Sequence, residues 1–178
     1  MRTLLLVVAL LISTATYGKW DKETVKAFHK CEVVNLQVDF SSTTIMGLDL
    51  KDGAEYIGSK IGGSSQILDL LFKRFQNIVA ERASSKKKIF EVDTEADFTF
   101  KVVIKNITEK AGMRGEAILY DNKNTNNIMK YNFKIDDGRW NSFENLFLEA
   151  SQEMGKDIKT LLSQLNFGYS TKSFKIVK

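Results

Sequence analysis

A chain that performs covalent chemistry usually needs a base, and this one has a single histidine, His29, with the only cysteine, Cys31, two positions on. Extended backbone would place both on one side, the minimum for a Cys–His nucleophile pair. Nothing beside them looks like an oxyanion site, and Lys26 and Lys30 surround the histidine, so His29 reads as a solvent-exposed or turn residue. Glu91, Asp93, Glu95 and Asp97 alternate, so extended backbone would gather four carboxylates on one side and offer a calcium ion oxygen ligands. The segment lacks the Asp-x-Asp-x-Asp-Gly spacing and follows Lys86-Lys87-Lys88, which favours a solvated acidic approach to a strand. Zinc needs more histidine and cysteine than the chain has. Gly58 and Gly63 share the outer spacing of a phosphate loop, but Ser64-Ser65 stands where that loop requires lysine and then Ser or Thr. No catalytic residue, metal or cofactor is therefore assigned.

One short segment keeps a functional reading. In Gly138-Arg139-Trp140-Asn141 an arginine and a tryptophan stand between the last strand and the last helix, where a helix N-terminus offers free N–H groups. Arg139, Trp140 and Asn141 form a candidate recognition surface for an acidic or carbonyl-bearing partner. The competing reading makes Trp140 a lid on the core and leaves Arg139 in water. Asn106-Ile107-Thr108 matches a glycosylation acceptor, relevant only in a eukaryotic source.

The elements that must hold this segment follow from periodicity. Val34, Leu36, Val38 and Phe40 alternate with Asn35, Gln37 and Asp39, giving a half-buried strand over Cys31 to Phe40. Ser41 to Ser65 is weakly patterned and reads as an excursion with one helical turn near Leu50 to Ile57. Ile67, Leu68, Leu71, Phe72, Phe75, Ile78 and Val79 recur at helical spacing, and Ser64 or Ser65 can cap that helix, which runs to about Arg82. Phe98 to Ile104, Met113 to Tyr120 and Met129 to Ile135 form a three-stranded meander, turning at Glu109 to Gly112 and at Asp121 to Asn127. Phe143, Phe147, Ala150, Met154, Ile158, Leu161 and Leu165 make one stripe on a closing helix, with Asn141 and Glu144 as a capping-box-like start and Gly168 as its stop. The tail from Phe174 to Lys178 reads as a short edge strand. Strand, helix, three-strand meander and helix predict an α+β domain of two layers, with a mixed four- to five-stranded sheet and both helices on one face.

Residues 1–18 carry an address. Arg2 precedes an apolar run from Leu4 to Ile12, and small neutral residues lead to Gly18, the order of a secretory signal peptide. Nine helical residues rise only about 14 Å against a bilayer core of about 30 Å, so no transmembrane segment is read there. Cleavage near Gly18 leaves residues 19–178, one globular domain with 25 basic and 22 acidic side chains. That small excess does not call for nucleic acid. Hydrophobic residues at 43% and charged residues at 27% are ordinary globular values, and the lone cysteine means that the core, not a disulfide, must hold the fold.

From Ala96 to Leu165 the chain resembles small exported proteins of Bacteroides-type bacteria. The carriers are Ala96-Asp97 entering a strand, Gly138-Arg139-Trp140-Asn141-Ser142-Phe143-Glu144-Asn145-Leu146, and Gly155-Lys156 in the closing helix, with Val38-Asp39-Phe40-Ser41 and Thr44-Ile45-Met46-Gly47 matching the first strand. More distantly it is similar to the α/β domain of curli-secretion lipoproteins and the TolB amino-terminal domain, but it lacks a lipobox cysteine and has Asn124-Thr125-Asn126 in place of a Thr-Gly turn. The resemblance implies no catalytic residues.

Together these readings predict an exported, non-enzymatic binding or assembly protein of the bacterial periplasm or cell surface, whose partner is an envelope protein or a glycan. The alternatives are a small secreted hydrolase using His29 and Cys31, or a carrier of a small apolar ligand. Neither ligand identity nor oligomeric state is legible.

Overall fold

The computed structural model describes residues 22–61, 66–124, 126–139 and 141–167. The leader, Trp140 and the Phe174 to Lys178 tail lie outside the described residues. The elements are α1 (Lys22–Lys30), β1 (Val33–Asp39), β2 (Thr44–Ile45), α2 (Leu50–Ile61), α3 (Gln66–Ala83), β3 (Ile89–Val92), β4 (Phe98–Ile107), β5 (Met113–Asp121), β6 (Asn126–Ile135) and α4 (Phe143–Phe167).

The fold is α+β, as the periodicity predicts, but the mixed sheet has six strands rather than four or five. Its order is β3-β1-β4-β5-β6, and β2 takes over from β1 beside the far end of β4. β3, β1 and β4 are parallel, and β4, β5 and β6 form the expected antiparallel meander. The extra strands are short. β3 buries only Phe90 within an acidic and basic stretch, and β2 is two residues long, so neither shows a period.

The segment from Ser41 to Ser65 also holds more structure than its pattern suggests. Asp49 caps α2, its Oδ1 accepting the N–H of Asp52 at 2.9 Å. Gly53 and Gly58 weaken the helical signal, yet a Cβ on Gly53 would stand 2.5 Å from Cβ of Ile45. The glycine lets α2 lie against β2. α1 is unexpected too. Its main anchor is Phe28, which is buried edge-on against Phe98 at 5.2 Å between ring centroids.

One face of the sheet carries the core. Val34, Leu36 and Val38 of β1, Phe98, Phe100, Val102 and Ile104 of β4, and Ala117 and Leu119 of β5 are all buried there. α3 and α4 contribute Leu71, Phe75 and Val79, and Phe147, Ala150, Met154 and Ile158. The ion pair from Arg74 to Glu144 and the hydrogen bond from Lys159 to the Ser84 carbonyl show that these two helices run in the same direction. At Gly155 they almost touch: a Cβ would lie 2.5 Å from Cβ of Arg82 and 2.9 Å from the carbonyl oxygen of Val79. Five phenylalanines lock the other end. Phe147 sits among Phe40, Phe72, Phe75 and Phe143, at 6.4, 5.9, 4.9 and 5.7 Å between centroids.

Candidate functional site

The β6–α4 junction is fixed from both sides. Thr108 and Gly112 close the β4–β5 turn, with Ala111 in the left-handed region at φ 58°. Thr108 Oγ1 donates to Asp137 Oδ1 at 2.5 Å, and the Gly138 N–H donates to the Lys110 carbonyl at 2.9 Å. Gly138 packs against Leu146, leaving no room for a side chain at that position. The turn and the junction therefore form one clamped corner.

Beyond the junction, the cap differs from the Asn141–Glu144 box expected. Ser142 caps α4: its Oγ accepts the Asn145 N–H at 3.3 Å and its carbonyl accepts that of Leu146 at 3.0 Å. Asn141 buttresses it, its Oδ1 accepting the Ser142 N–H at 2.9 Å and the Asn145 carboxamide at 2.8 Å. Glu144 instead faces Arg74 at 3.5 Å. Of the three proposed recognition residues, Asn141 thus spends its acceptor on the helix cap, and Trp140 lies outside the described residues. Arg139 is exposed and makes no hydrogen bond or ion pair with any described residue.

The other sequence-derived groups do not converge. His29 is exposed in the last turn of α1 and Cys31 follows that helix, so the extended backbone needed for a pair is absent. The Cys31 N–H still bonds the Ala27 carbonyl, and the strand begins only at Val33. Burial is the largest influence on the Cys31 thiol and pushes its pKa up, and the thiol donates to the Val33 carbonyl at 2.7 Å. A protonated, engaged thiol is a poor nucleophile. Lys88 closes the same corner, its buried Nζ donating to the Phe28 and Cys31 carbonyls at 2.7 and 2.6 Å and lying 4.1 Å above the Phe28 ring. That is a helix C-terminal cap, at the cost of a pKa lowered by burial.

The acidic row is broken at Asp93, whose φ of 54° ends the alternation, and Asp97 pairs with Lys123 at 2.8 Å. Among the described residues no three His, Cys, Asp or Glu side chains gather. Gly58 lies inside α2 rather than in a loop, and Gly63 is outside the described residues. Asn106 lies in β4, its carboxamide donating to Thr44 Oγ1 at 3.1 Å. Between α2 and α3 runs an open groove lined by Leu50, Ala54, Leu68 and Phe72 and edged by Lys51, Glu55 and Asp69.

A second surface emerges only from strand register. The sheet face opposite the core carries Lys101, Val103 and Lys105 of β4, Arg114, Glu116, Ile118 and Tyr120 of β5, and Lys130, Asn132 and Lys134 of β6. Glu116 bridges two strands, accepting from Lys105 on β4 and from Lys130 on β6, the latter at 2.8 Å. Those two lysines hold its carboxyl below the usual glutamate range. At the rim, Asp39 accepts from the Ser41 hydroxyl and N–H and from Lys101 at 2.9 Å, which together bring its pKa down to about 2. The alternating lysines are readable in the sequence, but their cross-strand partners are not.

No protein-family model matches the chain, and no curated relative aligns with it. In backbone outline it is similar to a Xanthomonas campestris protein of the DUF330 family, at 8% identity over 77% of this chain and 86% of that one, with a TM-score of 0.49. It is also similar to PelC, a dodecamer from Paraburkholderia phytofirmans, at 7% identity over 72% and 86% of the two chains and a TM-score of 0.42. Likeness at this level transfers no residue and no activity.

Proposed function

We propose that the protein is exported and works by binding, as an accessory or assembly component of a bacterial periplasm or cell surface. The order of charged, apolar and small residues in 1–18 supports export, and the resemblance to exported Bacteroides-type proteins points the same way. The observation that carries the binding reading is Arg139. Its side chain is exposed and unpartnered among the described residues, while the Lys110–Gly138 bond and the Asn141–Ser142 cap hold the backbone on either side of it. A fixed backbone lowers the entropy that a bound arginine must give up, which suits recognition. The partner this surface suits is an envelope protein or a glycan bearing carboxylate or carbonyl groups.

The test is a double substitution, Arg139→Ala with Trp140→Ala, in the full chain. Thermal melting is followed beside a pull-down from the native envelope. Lost partners with an unchanged melting temperature support the site. A collapse in stability without specific loss of binding makes Trp140 a core lid and overturns it. Mass analysis of the exported chain tests the address, which fails if Met1 is retained or Cys31 carries a lipid.

A further inference from the structure

Arg114 and Lys134 stand directly opposite each other in the β5–β6 register. Like charges so placed on one sheet face repel and destabilise the pair. Lys134 has an exposed counter-ion in Asp136, just past the end of β6, while Arg114 makes no hydrogen bond or ion pair with any described residue. Lys105, Lys101 and Lys130 lie on the same face, and only Glu116 and Asp39 answer them. Five cations thus meet three carboxylates, Asp39, Glu116 and Asp136, and Lys105, Arg114 and Lys134 are open to water.

We propose that this open sheet face binds a linear acidic polysaccharide, with its carboxylates seated between Arg114 and Lys134 and along Lys105 and Lys130. Charge complementarity supplies the attraction, and an anion between the two opposed cations removes a repulsion that the free protein carries. Three features favour a polysaccharide over an acidic peptide. The backbone of β5 is already paired on both sides, so a peptide gains no added-strand hydrogen bonds here. Neighbouring strands stand about 4.8 Å apart, close to the length of one sugar residue, so repeating charges meet repeating cations. The exposed carboxamide of Asn132 and the half-buried ring of Tyr120 add groups suited to hydroxyls and to the apolar face of a sugar. This surface is distinct from the Arg139 corner, so the two readings fail separately.

Polygalacturonate is the probe, titrated into the full chain at low salt and then at rising salt, with uncharged dextran as control. Binding should weaken linearly in log–log form with salt, as lysine and arginine contacts to a polyanion do. Arg114→Gln with Lys134→Gln should lower affinity at least about tenfold while the melting temperature holds or rises, because the repulsion is gone. Lys86→Gln with Lys87→Gln removes the same charge at the exposed turn before β3 and should change affinity less than about twofold. Equal losses from the two pairs would reduce the effect to net charge and overturn the assignment. So would absence of binding at low salt, or equally tight binding of polyglutamate or single-stranded DNA. If the double variant melts early, Arg114→Gln alone gives the same reading.

Discussion

The two faces of the sheet are built on opposite terms. On the helix side, β1, β4 and β5 present phenylalanine, valine, leucine and isoleucine that are almost wholly buried, and Phe147 joins four other rings. On the open side the same strands present lysines and carboxylates held at the surface by one another. The first face gains from every atom removed from water, whereas exposed ion pairs contribute little each. Stability therefore resides on one face, and the other is free to change its charges without unfolding the domain. The α4 flank is a third case. Glu153 and Asp157 have no basic partner strong enough to offset their desolvation, which raises both pKa values.

The comparison can be broken in descending order of effect. Phe147→Ala should cost about 3–5 kcal/mol in chemical denaturation, through lost burial and the cavity left among the four remaining rings. A loss below about 1 kcal/mol would mean that the core does not rest on that cluster. Gly155→Val should cost about 1–3 kcal/mol, because its branches must enter the space of Arg82 Cβ and the Val79 carbonyl. On the open face, Glu116→Gln should cost only about 0.2–1 kcal/mol, since both lysines remain hydrated.

The pH response separates the regions by sign. Asp39 and Glu116 have lowered pKa values, so their stabilisation is full above the unfolded values near 4 and is lost as pH falls through the folded ones. Glu153 and Asp157 have raised values, so falling pH protonates the folded state first and relieves a strain present at neutrality. Asp157→Asn should accordingly raise the melting temperature slightly at pH 7 and remove part of the gain seen on mild acidification. A melting temperature that falls at pH 7 would show that the carboxylate is stabilising there.

Long, regular elements were legible because their apolar period is long: the meander, α3 and α4 all fall where alternation and helical spacing place them. What escaped was short or anchored by few residues. α1 depends chiefly on Phe28, β3 on Phe90, and α2 hides behind two glycines, one of which, Gly53, its packing on β2 needs. The candidate sites divide the same way. The Arg139 corner could be found as two polar or aromatic residues between two apolar patterns. Its clamp could not, since Thr108, Lys110 and Asp137 meet only through the fold. The open-face ladder requires register, because nothing in the order of residues says that Arg114 faces Lys134.

β1 is the first strand of the sheet, yet it lies inside it, between β3 and β4. The five residues that link those two strands must cross it, and Asn35 marks the crossing: its carboxamide oxygen accepts the Thr94 N–H at 3.3 Å and its nitrogen reaches Thr99 at 3.4 Å. The meander closes through neighbouring hairpins and should assemble early, whereas β1 must return over about sixty positions to pair with β4. Insertion of β1 is then the slow kinetic step, and Asn35→Ala should show itself more in the refolding rate than in the shape of the finished sheet.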